Sequence, residues 1–144
     1  MCIQILFFFS SYSYTDARYS GNHKDANTKR KKVENAPQDI LRTGLSFDYK
    51  GFLFTTQLSH VATAFSDANN TNIPSANGNT GIIPSYSIID LTASYKYSKK
   101  INIKAGINNL NDTRYFTRRA GGYPGPGALP ADGRNFFISI GAKF

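Results

Sequence analysis

Six stretches of this chain alternate apolar and polar residues with a period of two, and the connections between them alternate long, short, long, short, long. The stretches run 10–19, 40–49, 52–65, 86–97, 101–116 and 135–144. A period of two is that of a β-strand, whose successive side chains leave opposite faces. In 135–144, Phe136, Ile138, Ile140, Ala142 and Phe144 share one face, opposed by Phe137, Ser139, Gly141 and Lys143. In 40–49, Leu41, Thr43, Leu45, Phe47 and Tyr49 oppose Arg42, Gly44, Ser46 and Asp48. The short connections are Lys50-Gly51, a hairpin turn, and Ser98-Lys99-Lys100. The long ones are rich in Asn, Gly, Ser and Pro: Gly21 to Lys32 with the Asn35-Ala-Pro-Gln that follows, Asp67 to Pro84, and Arg119 to Arg134. Antiparallel strands so joined carry every short turn at one end and every long loop at the other. That asymmetry, with strands of about ten residues, fits a tilted membrane crossing by a β-barrel. The pattern predicts an all-β, antiparallel transmembrane barrel segment with no helix.

Composition fits a barrel whose strands have one wet face. Hydrophobic residues make up 40% and aromatics 14%, the latter all Phe and Tyr, so mean hydropathy is that of a soluble chain although one face of each strand is apolar. A soluble antiparallel β-barrel binding module has the same composition and stands as the alternative. Nothing reaches the 18 or so apolar residues of a membrane helix. The run Ile3–Phe9 lacks both the positive start and the small-residue cleavage site of a signal peptide. It does not alternate, so 1–9 reads as a truncated or non-native start and 10–144 as the barrel portion. Net charge is +8, concentrated in Lys29, Arg30, Lys31 and Lys32 and in Arg114, Arg118 and Arg119. No zinc spacing or aromatic RNA-binding pattern accompanies it, which argues against nucleic acid. Cys2 is the single cysteine, and His23 and His60 have no ligand spacing to it or to each other, so no metal or cofactor site is expected. No nucleophile is paired with a base, so an enzyme is not expected either.

Six strands do not close a barrel in lipid. Asn108-Asn109-Leu110-Asn111-Asp112-Thr113-Arg114-Tyr115 resembles a motif near the end of TonB-dependent outer-membrane receptors, departing from it at Asn111, where the family has an aromatic residue. Tyr115 to Gly127, with Leu129 to Arg134, resembles the ferric-dicitrate subgroup more narrowly. Pro84-Ser-Tyr86, Asp90 to Tyr95 and Gly141 to Phe144 are similar to the family as well. The resemblance implies the last six strands of a 22-stranded barrel, with three extracellular loops and without the N-terminal plug through which the TonB complex acts. It implies a bacterial outer-membrane receptor for energy-coupled uptake of a ferric chelate of the iron(III) dicitrate type. Another siderophore, cobalamin or a glycan stands as the alternative ligand. A nonfunctional remnant of a disrupted coding frame is a further reading of this chain.

Two groups of residues follow from that resemblance as candidates. Arg114, Arg118 and Arg119 stand at the outer end of a strand, where a guanidinium fork suits the carboxylates of a ferric citrate complex. Pairing with Asp112 or Asp132, or contact with lipopolysaccharide phosphates, are the other uses open to them. Phe144, with Ile140 and Phe136, resembles the signal read by the barrel-assembly machinery. Arg42 and Asp48, on the polar face of one strand, are expected to join a network within the wall. The segment Tyr123 to Gly127 reads as a surface loop, with a shaped lid over the vestibule as the other reading.

Overall fold

The computed structural model describes residues 5–22, 27–123 and 125–143. Its main feature is a six-stranded antiparallel sheet in which every strand lies beside the next in sequence. The strands are β1 (Ile5–Tyr14), β2 (Asp39–Tyr49) and β3 (Phe52–Val61), then β6 (Tyr86–Lys96), β7 (Ile101–Asn108) and β10 (Asn135–Ala142). Two small hairpins ride on the long loops: β4 (Ala64–Phe65) with β5 (Ile82–Ile83), and β8 (Phe116–Ala120) with β9 (Gly127–Pro130). No described residue is helical.

Register settles what each face carries, because directly paired residues share a face. Across the sheet run the rows Phe8, Leu45, Thr56, Leu91, Ile107, Phe136 and Leu6, Phe47, Phe54, Ala93, Ala105, Ile138. The opposite face carries Ser46, Thr55, Thr92, Gly106 and, one step outward, Gly44, Gln57, Asp90. The apolar face is bare: Phe136, Ile138 and Ile140 are 70–75% exposed. A soluble protein does not leave a whole sheet of such residues to water, so this is the lipid face. Only Ala64 and Ile83, in a loop hairpin, are buried hydrophobics among the described residues. Where the lipid face meets the short turns, Phe52 stacks on Tyr95 (ring centroids 4.1 Å apart), and the Lys50 ammonium lies 5.0 Å from the Tyr49 ring centre. Aromatic rings with lysines beyond them are what a membrane interface favours.

The structure moves the boundaries of three of the sequence stretches. The first strand begins at Ile5, not Ser10, and ends at Tyr14. Alternation fails over Ile5–Phe9 because both faces are apolar there: Leu6 and Phe8 meet lipid, while Phe7 and Phe9 lie opposite Ser46 and Gly44 on the polar face. Gly44 exists for that contact. A β-carbon on it would sit 2.5 Å from the Phe9 ring and 2.3 Å from the Thr56 carbonyl oxygen. Gly106 does the same for Phe137 at 2.5 Å, each ring covering the glycine of the neighbouring strand. The stretch 52–65 breaks after Val61, and 101–116 breaks after Asn108, where the chain turns.

Candidate ligand-facing rim

The Asn108–Tyr115 segment is built from backbone outward. β6 runs beyond its partner: pairing with β7 stops at Leu91–Ile107, leaving Tyr86–Asp90 with an open edge on that side. The turn repairs that edge. The Leu110 N–H donates to the Ile89 carbonyl, the Asn111 side-chain oxygen accepts from the Ile89 N–H (3.0 Å), and its amide nitrogen donates to the Ser87 carbonyl (2.9 Å). Asn111 is therefore a side-chain substitute for one more ladder residue, which the aromatic residue of the family motif does not supply. Asn109 and Asp112 take left-handed backbone angles (φ 54° and 52°), a region asparagine and aspartate tolerate best after glycine. Asn109 is 3% exposed, accepts from the Thr113 N–H and donates to the Thr113 carbonyl, both at 2.9 Å. The Asp90 carboxylate accepts from its backbone N–H at 2.9 Å.

Beyond this turn the three long loops are laced together. The Asn70 side chain pairs with both backbone groups of Lys32, accepting at 2.7 Å and donating at 2.8 Å, and the Lys31 ammonium donates to the Asn69 carbonyl. The Asn35 N–H donates to the Phe65 carbonyl at 2.7 Å. On the other side, Arg119 donates from Nε and Nη2 to the Ile82 carbonyl and from Nη1 to the Gly78 carbonyl. Its guanidinium also lies 4.8 Å from the Phe116 ring centre.

The three arginines picked out by sequence are thus unlike one another. Arg119 is committed to backbone carbonyls of the neighbouring loop. Arg114 and Arg118 are exposed and their guanidinium groups have no hydrogen bond or ion pair among the described residues, where Arg18–Asp16 is the sole ion pair. Asp112 does not pair with any of the three; it accepts from the Arg134 N–H. Arg114 lines a small recess with Pro84, Ser85, Tyr115 and Phe116. The wall network expected of Arg42 and Asp48 is not formed among the described residues. Their cross-strand neighbours, Ser11 and Ser59 for one and Ile5 and Leu53 for the other, offer no opposite charge. Phe136 and Ile140 lie on the lipid face, and Phe144 falls outside the described residues, as do Cys2, His23 and Pro124 of the 123–127 loop. His60 bonds Ser87 at 2.8 Å, and no cluster of three His, Cys, Asp or Glu able to hold a metal occurs among the described residues.

Sequence missed the lacing residues because Asn69, Asn70 and Asn35 look like any loop asparagines; only Asn109 and Asn111 had a motif to mark them.

Residues 4–110 match the family model described as TonB dependent receptor-like, beta-barrel. The probable TonB-dependent siderophore receptor PiuA of Acinetobacter baumannii is 36% identical over 66 residues, 46% of this chain and 8% of that protein. The ferrioxamine B receptor of Salmonella typhimurium is 28% identical over 115 residues, 74% of this chain and 15% of its own length. Among solved structures, the unliganded ferric citrate transporter FecA superposes with a TM-score of 0.88 at 22% identity, covering 96% of this chain and 21% of that one. The solved PiuA receptor superposes at 0.75 with the same identity, covering 96% of this chain and 20% of that one. These relatives are receptors and transporters, not enzymes, and this chain spans 8% to 21% of each. With the lipid face, the lopsided connections and the match over 4–110 in agreement, the chain belongs to the TonB-dependent receptor β-barrel family of the bacterial outer membrane.

Proposed function

We propose that this chain serves as the closing part of an outer-membrane receptor that takes up a ferric chelate of the dicitrate type, with TonB supplying the energy through a plug segment. The observation that carries this reading is the pair Arg114 and Arg118, exposed at the outer rim with no carboxylate partner among the described residues. A ferric citrate complex presents carboxylates that a guanidinium binds in a fork. The overlay on the ferric citrate transporter supports it at the level of fold. Arg119 contributes by holding two loops in place. On the same reading, the exposed Lys29 and Arg30 meet lipopolysaccharide phosphates. Phe136, Ile140 and Phe144 serve the barrel-assembly machinery.

A second ligand has an observation of its own. The ferrioxamine B receptor aligns over 74% of this chain, which favours a siderophore of that kind. Uptake of radioiron separates the two. The ferric citrate transporter is rebuilt with residues 5–143 in place of its corresponding strands, in cells lacking their own receptors. The dicitrate reading predicts uptake from ferric citrate that falls about tenfold or more when Arg114 and Arg118 are both changed to Gln. Uptake from ferrioxamine B alone would sink it.

A further inference from the structure

Where the polar face of the sheet meets the three loops there is a cavity of about 230 Å3, and Arg42 is the single charged residue in its lining. Asn35, Thr117 and Tyr86 supply its other hydrogen-bonding side chains, and Val61 and Ile83 are among its apolar ones. The Tyr86 ring is stacked on Tyr115 at 4.2 Å, which fixes that wall. The Arg42 guanidinium has no hydrogen bond or ion pair among the described residues. Two carboxylates share its face of the sheet. Asp90 already accepts the Asn109 N–H, and Asp48 is six residues along β2, roughly 20 Å away at strand rise. A free guanidinium lining an acid-free pocket, with an amide and two hydroxyls in the same lining, is a receptor for a planar anion.

We propose that this pocket is a carboxylate subsite: Arg42 binds one carboxylate of the cargo in a fork, with Thr117 and Asn35 at hand for its remaining lone pairs. The cavity is smaller than the roughly 300 Å3 at which whole-ligand pockets begin. It therefore takes one carboxylate arm, while the body of the complex stays in the vestibule beneath Arg114 and Arg118. Because all three loops meet here, the lacing described above sets the pocket's width. The proposal rests on the reading that the rim receives an anionic chelate.

The test uses the chain refolded in detergent micelles, with β content checked by circular dichroism, and citrate as the probe. Citrate should bind saturably, the neutral trimethyl ester of citrate should not, and Arg42→Gln should weaken citrate about tenfold. Arg42→Lys should recover only part, since an ammonium lacks the fork. Equal binding by Arg42→Gln, or binding of the ester as tight as citrate, overturns the subsite. A second measurement does not need the chain to fold alone. In the rebuilt transporter, Arg42→Gln should raise the half-saturating ferric citrate concentration about tenfold, and an unchanged value overturns the proposal. The two readings fail separately. Loss of uptake on changing Arg114 and Arg118 but not Arg42 would leave the receptor reading standing without this subsite. Citrate binding through Arg42, in a chimera that ignores ferric citrate, would leave the subsite without that cargo.

Discussion

Replacing Asn109 tests whether the turn after β7 is held by one buried amide. Asn109→Ala removes two good hydrogen bonds to Thr113, worth about 1 kcal/mol each. It also asks alanine to keep a φ of 54°, costing about 1 kcal/mol more. The sum is about 3 kcal/mol of local stability. Asn109→Gly loses the same bonds but adopts that backbone freely, so its loss is about 2 kcal/mol, somewhat more after allowing for glycine's freedom in the opened state. The readout is amide exchange at Leu110 and Arg134. Neither bonds the Asn109 side chain, and both depend on the turn. Their exchange should accelerate roughly a hundredfold in the alanine variant and about thirtyfold in the glycine variant, if they open with the turn. Exchange unchanged in both variants would refute the idea that the amide holds the turn. Alanine exchanging no faster than glycine would refute the backbone part.

Asn111→Phe, which restores the aromatic residue of the family motif, should cost about 1 kcal/mol and speed exchange at the Ile89 amide, since it deletes that amide's acceptor. Arg119→Ala should make the 66–84 loop several times more sensitive to protease, while Arg118→Ala leaves it unchanged. Gly106→Ala should prevent stable folding, and Phe137→Ala should relieve it in part. Phe9→Ala should relieve Gly44→Ala less, because there the nearest obstacle is a backbone oxygen. The hydrogen bond from Tyr19 to the Glu34 carboxylate holds the phenol proton and raises its pKa. The contribution is therefore whole below the free phenol value of about 10 and is lost as pH rises through the higher folded value. Ultraviolet titrations of the parent chain and of Tyr19→Phe should differ by one late-ionising tyrosine.

What sequence revealed and what it hid divide on physical grounds. Alternation marked β2, β6 and β10 to within a residue or two at most ends, because each has one face in lipid and one in the polar lumen. It failed over Phe7 and Phe9, where both faces are apolar; the Phe9 ring lies over Gly44 of the neighbouring strand, a pairing that no local window contains. It ran three stretches too long, through 15–19, 62–65 and 109–116; at 64–65 and at Phe116 the cause is a short hairpin strand of the loop with the same preferences. The candidate arginines were legible as charge, but their division was not: Arg119 is spoken for by carbonyls 37 and 41 residues away in sequence. Arg42 looked like a wall residue because it shares a strand face with Gly44, Ser46 and Asp48, whereas its acid-free surroundings are assembled from all three loops.

On the proposed reading of the rim as a receptor surface, the lacing of the loops through Asn70, Lys32 and Arg119 bears on how quickly a cargo comes and goes. A rim already tied by hydrogen bonds has little disorder left to surrender when a ligand arrives, so binding carries a small entropic penalty. Arrival should then be set by diffusion and charge, and differences among ligands should appear in how long each one stays. Cutting the Arg119 tie would reverse this: the loops would have to be ordered at every encounter, and the on-rate would fall before residence time changed.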